Sequence, residues 1–284
     1  TTILKTNQTN GSLVALRASR LYSKPLLARC GYIWSEFAAR QSGNNSMAAK
    51  RARRTERKVF RSADKVTVTT LEMKRLVGDN YNLIPERIEV VPNYVDTNLF
   101  RPSGRGDSKI KNTICFVGRL DKQKNLYALF DALKGLDVEL TVIGNGPLRN
   151  DLVSKAEDGS LRVQFLGNVP HSNLPEHLVR AEIFILPSLY EGHPKALLEA
   201  MACGAPVIGA NVPGIRELIQ HGQTGYLCGT SSSEIRAAVQ VLCGDSTMQA
   251  RLGRNAREFV TETCSLPRVL DMELAILRSL GDGK

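Results

Sequence analysis

The chain has 284 residues, 42% of them hydrophobic and 23% charged, an ordinary globular composition that excludes a long disordered or fibrous protein and leaves room for two domains. Its net charge of +10 is unevenly spread: residues 1–103 hold 18 basic and 8 acidic side chains, and the remainder holds 20 of each. The whole excess lies in the first third, which therefore faces something anionic, such as a membrane surface, an acidic substrate or nucleic acid. No apolar run approaches the ~20 residues that cross a bilayer, and the opening Thr1-Thr2-Ile3-Leu4-Lys5 lacks the arrangement of a signal peptide, so a cytoplasmic location is expected. The six cysteines (Cys30, Cys115, Cys203, Cys228, Cys243, Cys264) show no Cys-x-x-Cys pair and no metal-site spacing. They read as small buried apolar residues in a reducing compartment. The Asn-x-Ser/Thr sequons at Asn7, Asn10 and Asn44 are then expected to be chance matches, and with a start at Thr1 rather than Met a fragment is expected.

In chain order, Leu26 to Arg29, Val66 to Thr69 and Ile88 to Val91 read as strands, and 46–63 as a helix. Three strands are few for a Rossmann-like domain, so residues 1–105 are expected to form a partial one. Pro92 to Asn112, with Pro102, Gly104, Gly106 and mixed charge, reads as a linker. Beyond it, the apolar runs Ile114 to Val117, Leu140 to Ile143, Val163 to Leu166, Ile183 to Leu186 and Pro206 to Gly209 each meet a glycine or proline, where the backbone turns tightly. Helical stretches lie between them at Asn125 to Leu136, Leu148 to Ala156, Leu174 to Arg180 and Lys195 to Cys203. That alternation predicts a doubly wound α/β domain with a parallel sheet over 106–265. A last helix is expected over Leu266 to Leu280, packing back toward the first domain.

The most informative stretch runs from Pro187 through Glu191-Gly192-His193-Pro194-Lys195 to Gly204. A predicted strand stops at Pro187, a loop carries Glu191, and Pro194 suits the first helical position, where its missing N–H costs nothing. The helix then starts beside Glu191 and puts Glu199 one to two turns in. An ionised carboxylate can hold two O–H donors, which suits sugar hydroxyls, and the open N–H groups of a first helical turn suit phosphate oxygens. Two solvated glutamates beside an amphipathic helix would be the plain reading of an isolated pair; the surrounding segments weigh against it.

Glu191 and Glu199, followed by Ala200-Met201-Ala202-Cys203-Gly204-Ala205-Pro206-Val207-Ile208, resemble the E-x7-E motif of the GT-B retaining glycosyltransferases, the glycosyltransferase family 4 group. Phe116-Val117-Gly118-Arg119-Leu120-Asp121-Lys122-Gln123-Lys124-Asn125 resembles that family's G-R-L-x-x-x-K segment. Ile143 to Arg149, Phe165 to Val169 and Val91 to Asp96 match lesser signatures. The resemblance implies two Rossmann-like domains and transfer, with retention, of a hexose-type sugar from a nucleoside diphosphate, UDP or GDP, to a glycan or lipid-linked acceptor. By position it makes Arg119, Lys124 and Glu191 catalytic: Arg119 and Lys124 on the donor diphosphate, Glu191 on the transferred sugar, and Glu199 on the ribose. Gly118, Asn145, Leu166, Gly192, His193, Lys195, Ala196 and Leu197 complete the implied donor site. Negative charge develops on the diphosphate as the glycosidic bond breaks, and fixed cations in a water-poor site stabilise it.

Other designs lose support. No Asp-x-Asp occurs, so the metal–diphosphate clamp of GT-A enzymes is absent, and neither a metal nor a further cofactor is expected. Gly144-Asn145-Gly146 lacks the third glycine of a dinucleotide fingerprint, and no P-loop is present. Two departures from the family pattern stand out. His193-Pro194 replaces the common Phe-Gly, and proline donates no N–H, so the Lys195 and Ala196 amides would take over. Cys30-Gly31-Tyr32 stands where many members carry a histidine near the reacting carbon; His171, His177, His193 and His221 all lie in the second domain, and Cys30 reads as a packed thiol. Lys50 to Arg61 holds seven basic residues in twelve. It reads as a solvated helix face or, given the family's lipid-linked acceptors, a contact for an anionic membrane; with 6% aromatics and no nucleic-acid module, nucleic acid is not expected. A nucleotide-sugar-binding module without turnover and a GT-B-fold sugar-nucleotide epimerase are the competing functions.

Overall fold

The short apolar runs become strands of two separate parallel sheets in a computed structural model that describes residues 2–103 and 109–282. The chain divides into two compact units, Thr1–Asn93 with Pro267–Lys284, and Tyr94–Leu266. The first contains β1 (Leu4–Lys5), α1 (Leu13–Leu21), β2 (Leu26–Cys30), α2 (Trp34–Ser42), α3 (Met47–Ser62), β3 (Lys65–Val68), α4 (Leu71–Tyr81) and β4 (Ile88–Val90). Its sheet runs β1-β2-β3-β4 with every neighbour parallel, Leu4 opposite Leu26, Ala28 opposite Val66 and Val66 opposite Ile88. Strands β2 to β4 and helix α3 are the predicted elements of this third. β1 has two residues, too few for a periodicity; α1, α2 and α4 are found beyond the predicted elements, α4 with Met73, Val77 and Tyr81 buried at helical spacing.

Helix α3 shows how one sequence serves two faces. Ser46 caps it, its hydroxyl accepting the Ala49 N–H, and Ala49, Ala52, Glu56, Val59 and Phe60 turn inward at helical spacing. The alanines, with Ala38 of α2, allow the two helices to approach closely. Glu56 is fully buried, yet its carboxylate is used: it accepts the Ser35 N–H (3.2 Å) at the start of α2 and the Tyr81 hydroxyl (2.6 Å). Burial raises its pKa all the same. On the outer face Lys50, Arg51, Arg54, Arg57, Lys58 and Arg61 are exposed, while the half-buried Arg53 donates to Asn44.

The second unit contains β5 (Ile110–Val117), α5 (Leu126–Leu133), β6 (Glu139–Ile143), α6 (Arg149–Asp158), β7 (Arg162–Gly167), α7 (Leu174–Arg180), β8 (Ala181–Leu186), α8 (Lys195–Ala202), β9 (Val207–Ala210), β10 (Tyr226–Cys228), α9 (Ser232–Cys243) and α10 (Ser246–Cys264); α11 (Leu266–Asp282) follows. The strand order is β10-β9-β8-β5-β6-β7, all parallel. The chain thus builds outward from β5 to β7, returns to the other side of β5 and builds outward again from β8. Between β5 and β8 the order reverses, and in such sheets ligands bind outside the carboxyl ends of the strands at that point. Central strands read as unbroken apolar runs because both faces are covered: Ile114, Phe116 and Ile183 to Leu186 are essentially inaccessible. Each such side chain contributes about 2 kcal/mol of burial energy.

The predicted linker is only partly one. The Val95 N–H donates to the Cys264 carbonyl (2.9 Å), Phe100 is fully buried, and the Arg257 guanidinium donates to the Thr97, Phe100 and Ala202 carbonyls. These bonds tie residues 94–100 into the second unit, and the predicted linker's far end, Ile110 to Asn112, is already β5. Gly104 and Gly106 lie outside the described residues. Five cysteines are buried and Cys243 is half-buried; burial pushes the Cys30 thiol well up, as befits a packed group. No helix among the described residues is long and apolar enough to cross a membrane.

Candidate active site

The loops that leave β5 and β8 are sewn together at the reversal point. After Gly118 the chain makes a short 3-10 turn, Lys122–Lys124, and enters α5 through Asn125 in a left-handed conformation. From this turn the Gln123 carbonyl accepts the Leu189 N–H (2.8 Å), Gln123 Nε2 donates to the Tyr190 carbonyl (2.8 Å), and Asn125 Nδ2 donates to the Pro187 carbonyl (3.2 Å). In the middle of this seam Lys124 Nζ meets Glu191 Oε1 at 2.5 Å, with side chains only 15% and 8% exposed. The seam thus holds a well-sheltered cation and a carboxylate at the mouth of the sheet.

The loop after β6 supports the same turn from the other side. Gly118 N–H donates to the Ile143 carbonyl (2.9 Å) and Leu120 N–H to the Asn145 carbonyl (3.0 Å). A Cβ on Gly144 would lie 2.0 Å from the Gly118 carbonyl oxygen, and one on Gly146 2.3 Å from that of Leu120. These glycines permit backbone contact between two loops, which accounts for their pairing without the third glycine of a dinucleotide site. Asn145 itself is exposed and its side chain accepts the Gly146 N–H.

Helix α8 starts at Lys195, as the predicted stretch does, but Pro194 is its N-cap residue and not the first helical position. Proline has no side-chain acceptor to offer there, and no side chain caps the helix. The amide groups of Lys195, Ala196 and Leu197 therefore form an uncapped helix start, the positive end of the macrodipole. Leu197 is fully buried and can offer a ligand only its main chain. Gly192 is half-buried, His193 is buried, and Leu166, at the end of β7, packs half-buried against the core.

The predicted residues are not all in contact. Arg119 is 73% exposed, and its Nε lies 3.7 Å from Asp121 Oδ2. The Lys195 ammonium sits 4.4 Å above the Tyr94 ring. Glu199, buried on α8, is held by a residue that sequence reasoning left out: His171 Nε2 lies 2.9 Å from Glu199 Oε1. Gln123 was equally unassigned. Twenty-eight positions separate His171 from Glu199, and no spacing rule reaches that far; only the return of the chain from β7 to β8 brings them together. Among the described residues no three His, Cys, Asp or Glu side chains gather as metal ligands would.

The chain matches known proteins in sequence and in fold. The family model "Glycosyl transferases group 1" matches residues 102–259, and "Glycosyltransferase Family 4" matches residues 3–99. Over 212 residues the chain is 31% identical to the N-acetyl-alpha-D-glucosaminyl L-malate synthase of Bacillus anthracis, covering 69% of this chain and 55% of that enzyme. It is 32% identical over 206 residues to the UDP-Gal:alpha-D-GlcNAc-diphosphoundecaprenol alpha-1,3-galactosyltransferase of Escherichia coli, covering 66% of this chain and 53% of that one. The matched stretch is thus about half the length of these relatives. Among solved structures, sucrose-phosphate synthase from Thermosynechococcus elongatus superposes with a TM-score of 0.87 at 21% identity, over 99% of this chain and 74% of that one. Anabaena HepE in complex with UDP and glucose gives 0.84 at 21% identity, over 97% and 77%. The fold is therefore α/β of the GT-B class, with two Rossmann-like units.

Proposed function

The chain belongs to the glycosyl transferases group 1 family, and on that premise we propose that it is a retaining, metal-independent hexosyltransferase of the E-x7-E type. It moves a hexose-type sugar from a nucleoside diphosphate to a glycan or lipid-linked acceptor. The observation that carries this reading is the sheltered Lys124–Glu191 pair at the reversal point of the sheet, beside the uncapped start of α8. The diphosphate would lie across Lys124 and the helix amides, with Arg119 swinging from Asp121 to its outer oxygens. Glu191 would take hydroxyls of the sugar and Glu199 those of the ribose, with Gly118, Asn145, Leu166, Gly192 and His193 lining the rest. As the bond from the anomeric carbon to the diphosphate oxygen breaks, charge accumulates on the leaving group, where the two side-chain cations do what a divalent ion does in other transferases. The acceptor hydroxyl would attack from the same face, its proton passing to the leaving phosphate oxygen, so no protein nucleophile is needed.

Calorimetric titration with UDP, GDP and ADP tests the donor site. One base is expected to bind selectively, more weakly by about tenfold in both Arg119→Ala and Glu199→Gln. Undiminished affinity in both variants would count against the assignment. Release of nucleoside diphosphate from UDP- and GDP-sugars tests turnover; binding without release would favour a binding module.

The exposed cations of α3, with Met47 (82% exposed) at its start and Val14 (74%) on α1, support a cytoplasmic chain resting peripherally on an anionic membrane. Each cation near such a surface contributes about 1 kcal/mol. The name of the Escherichia coli relative includes a diphosphoundecaprenol acceptor, and a membrane-borne acceptor of that kind suits this face. The chain is expected to co-sediment with phosphatidylserine vesicles at low salt, and Arg54→Glu/Lys58→Glu to reduce the bound fraction. Equal binding to phosphatidylcholine alone would refute the electrostatic reading.

A further inference from the structure

One of Glu199's two carboxylate oxygens is already engaged. Oε1 faces His171 Nε2 at 2.9 Å, and a carboxylate only accepts, so the imidazole presents Nε2–H to it in either its neutral or its charged form. The donor is itself well fixed. His171 opens a 3-10 turn, His171–Asn173, directly after Pro170, and its ring rests on that of Phe100, 5.0 Å between centroids at 59°. Phe100 is fully buried and so makes a rigid plate for the imidazole, which is itself mostly open to solvent. On the other side Glu199 rises from α8, whose remaining inward residues are packed in the core.

We infer that His171 is a positioning residue for donor binding: by holding Oε1 of Glu199 it fixes the carboxylate with Oε2 turned to the ribose hydroxyls of the nucleotide. The inference rests on the reading of Glu199 as the ribose ligand. A glutamate side chain has three rotatable bonds, and a carboxylate held by a second donor loses that freedom before the ligand arrives, so less is lost on binding. The same hydrogen bond keeps one lone-pair set of a buried anion satisfied whether or not nucleotide is present. Loss of a merely structural histidine would instead affect nucleotides with and without ribose hydroxyls alike.

A thermodynamic cycle separates the two roles. UDP and GDP are titrated against their 2′,3′-dideoxy forms in the wild-type chain, His171→Ala, His171→Gln and Glu199→Gln. The wild type is expected to prefer the ribose form about tenfold or more, the worth of a charge-assisted hydrogen bond. His171→Ala and Glu199→Gln should both lose most of that preference while binding the dideoxy form as the wild type does. His171→Gln, whose amide can stand where Nε2 stood, should recover it. If His171→Ala keeps the wild-type preference while Glu199→Gln loses it, Glu199 is oriented without His171 and the inference is wrong. Equal weakening of both forms in His171→Ala overturns it as well. A preference that survives Glu199→Gln, or no binding of either nucleotide by folded wild type, removes the ribose reading itself and the inference with it.

Discussion

Replacing Lys124 with alanine is expected to slow diphosphate release from a nucleotide sugar by about 100- to 1,000-fold, the cost of removing one preorganised charge from a developing anion. The sheltered position of Lys124 is expected to make it the more effective of the two cations: its side chain is 15% exposed against 73% for Arg119, and a charge shielded from water acts at lower effective dielectric. Its removal also has a structural cost. Glu191 would be left 8% exposed with its Lys124 ion pair gone, and breaking a largely buried pair destabilises by about 2–3 kcal/mol. The double variant Lys124→Ala/Glu191→Gln separates the two effects. Its urea midpoint should recover most of the loss, because no charge is stranded, while turnover stays low. Arg119→Ala should leave the midpoint unchanged. A Lys124→Ala enzyme that is destabilised but releases diphosphate at the wild-type rate would confine the residue to a structural role.

The contrast between these two cations marks how far sequence reasoning reaches. The strands of the second sheet were readable because central parallel strands are covered on both faces and must be apolar throughout, as in Ile114 to Val117 and Ile183 to Leu186. Strand β10 has three residues and β1 two, shorter than any window in which alternation shows. The linker was misjudged because proline and glycine at Pro102, Gly104 and Gly106 outweighed Phe100, a single buried aromatic whose carbonyl is held by Arg257, 157 residues away. Within the site, motif order pointed to Lys124 and Glu191 as candidates. It could not show that they pair or that His171 holds Glu199, because both depend on segments the fold of the sheet brings together, nor that Arg119 turns to Asp121, which depends on the conformation of the single loop after β5. The same holds for Pro194, where local chemistry allows either of two neighbouring positions and the loop geometry selects the earlier one.

Gly144→Ala is expected to destabilise the second unit by about 3 kcal/mol or more and to weaken nucleotide binding at the same time. Gly144 has φ +127°, which other residues rarely adopt, and its new Cβ would stand 2.0 Å from the Gly118 carbonyl oxygen and 2.9 Å from the carbonyl carbon. Backbone on one side faces backbone on the other, so no side chain can rotate out of the way. Relief requires the end of β5 to move, but Gly118 N–H is bonded to Ile143 and Gly144 N–H to the Gly167 carbonyl (2.7 Å). Any such movement shifts Gly118 and Arg119 and, through the turn that follows, Lys124. Gly167 is the control: it too has a positive φ, +65°, but no atom lies within 4 Å of its would-be Cβ. Gly167→Ala should therefore cost only the conformational penalty, about 1 kcal/mol. Urea unfolding followed by circular dichroism, with calorimetric titration of UDP and GDP on each variant, measures both quantities. Equal midpoints for the two variants would mean that the loops after β5 and β6 have room between them and that the candidate site does not depend on backbone contact between them.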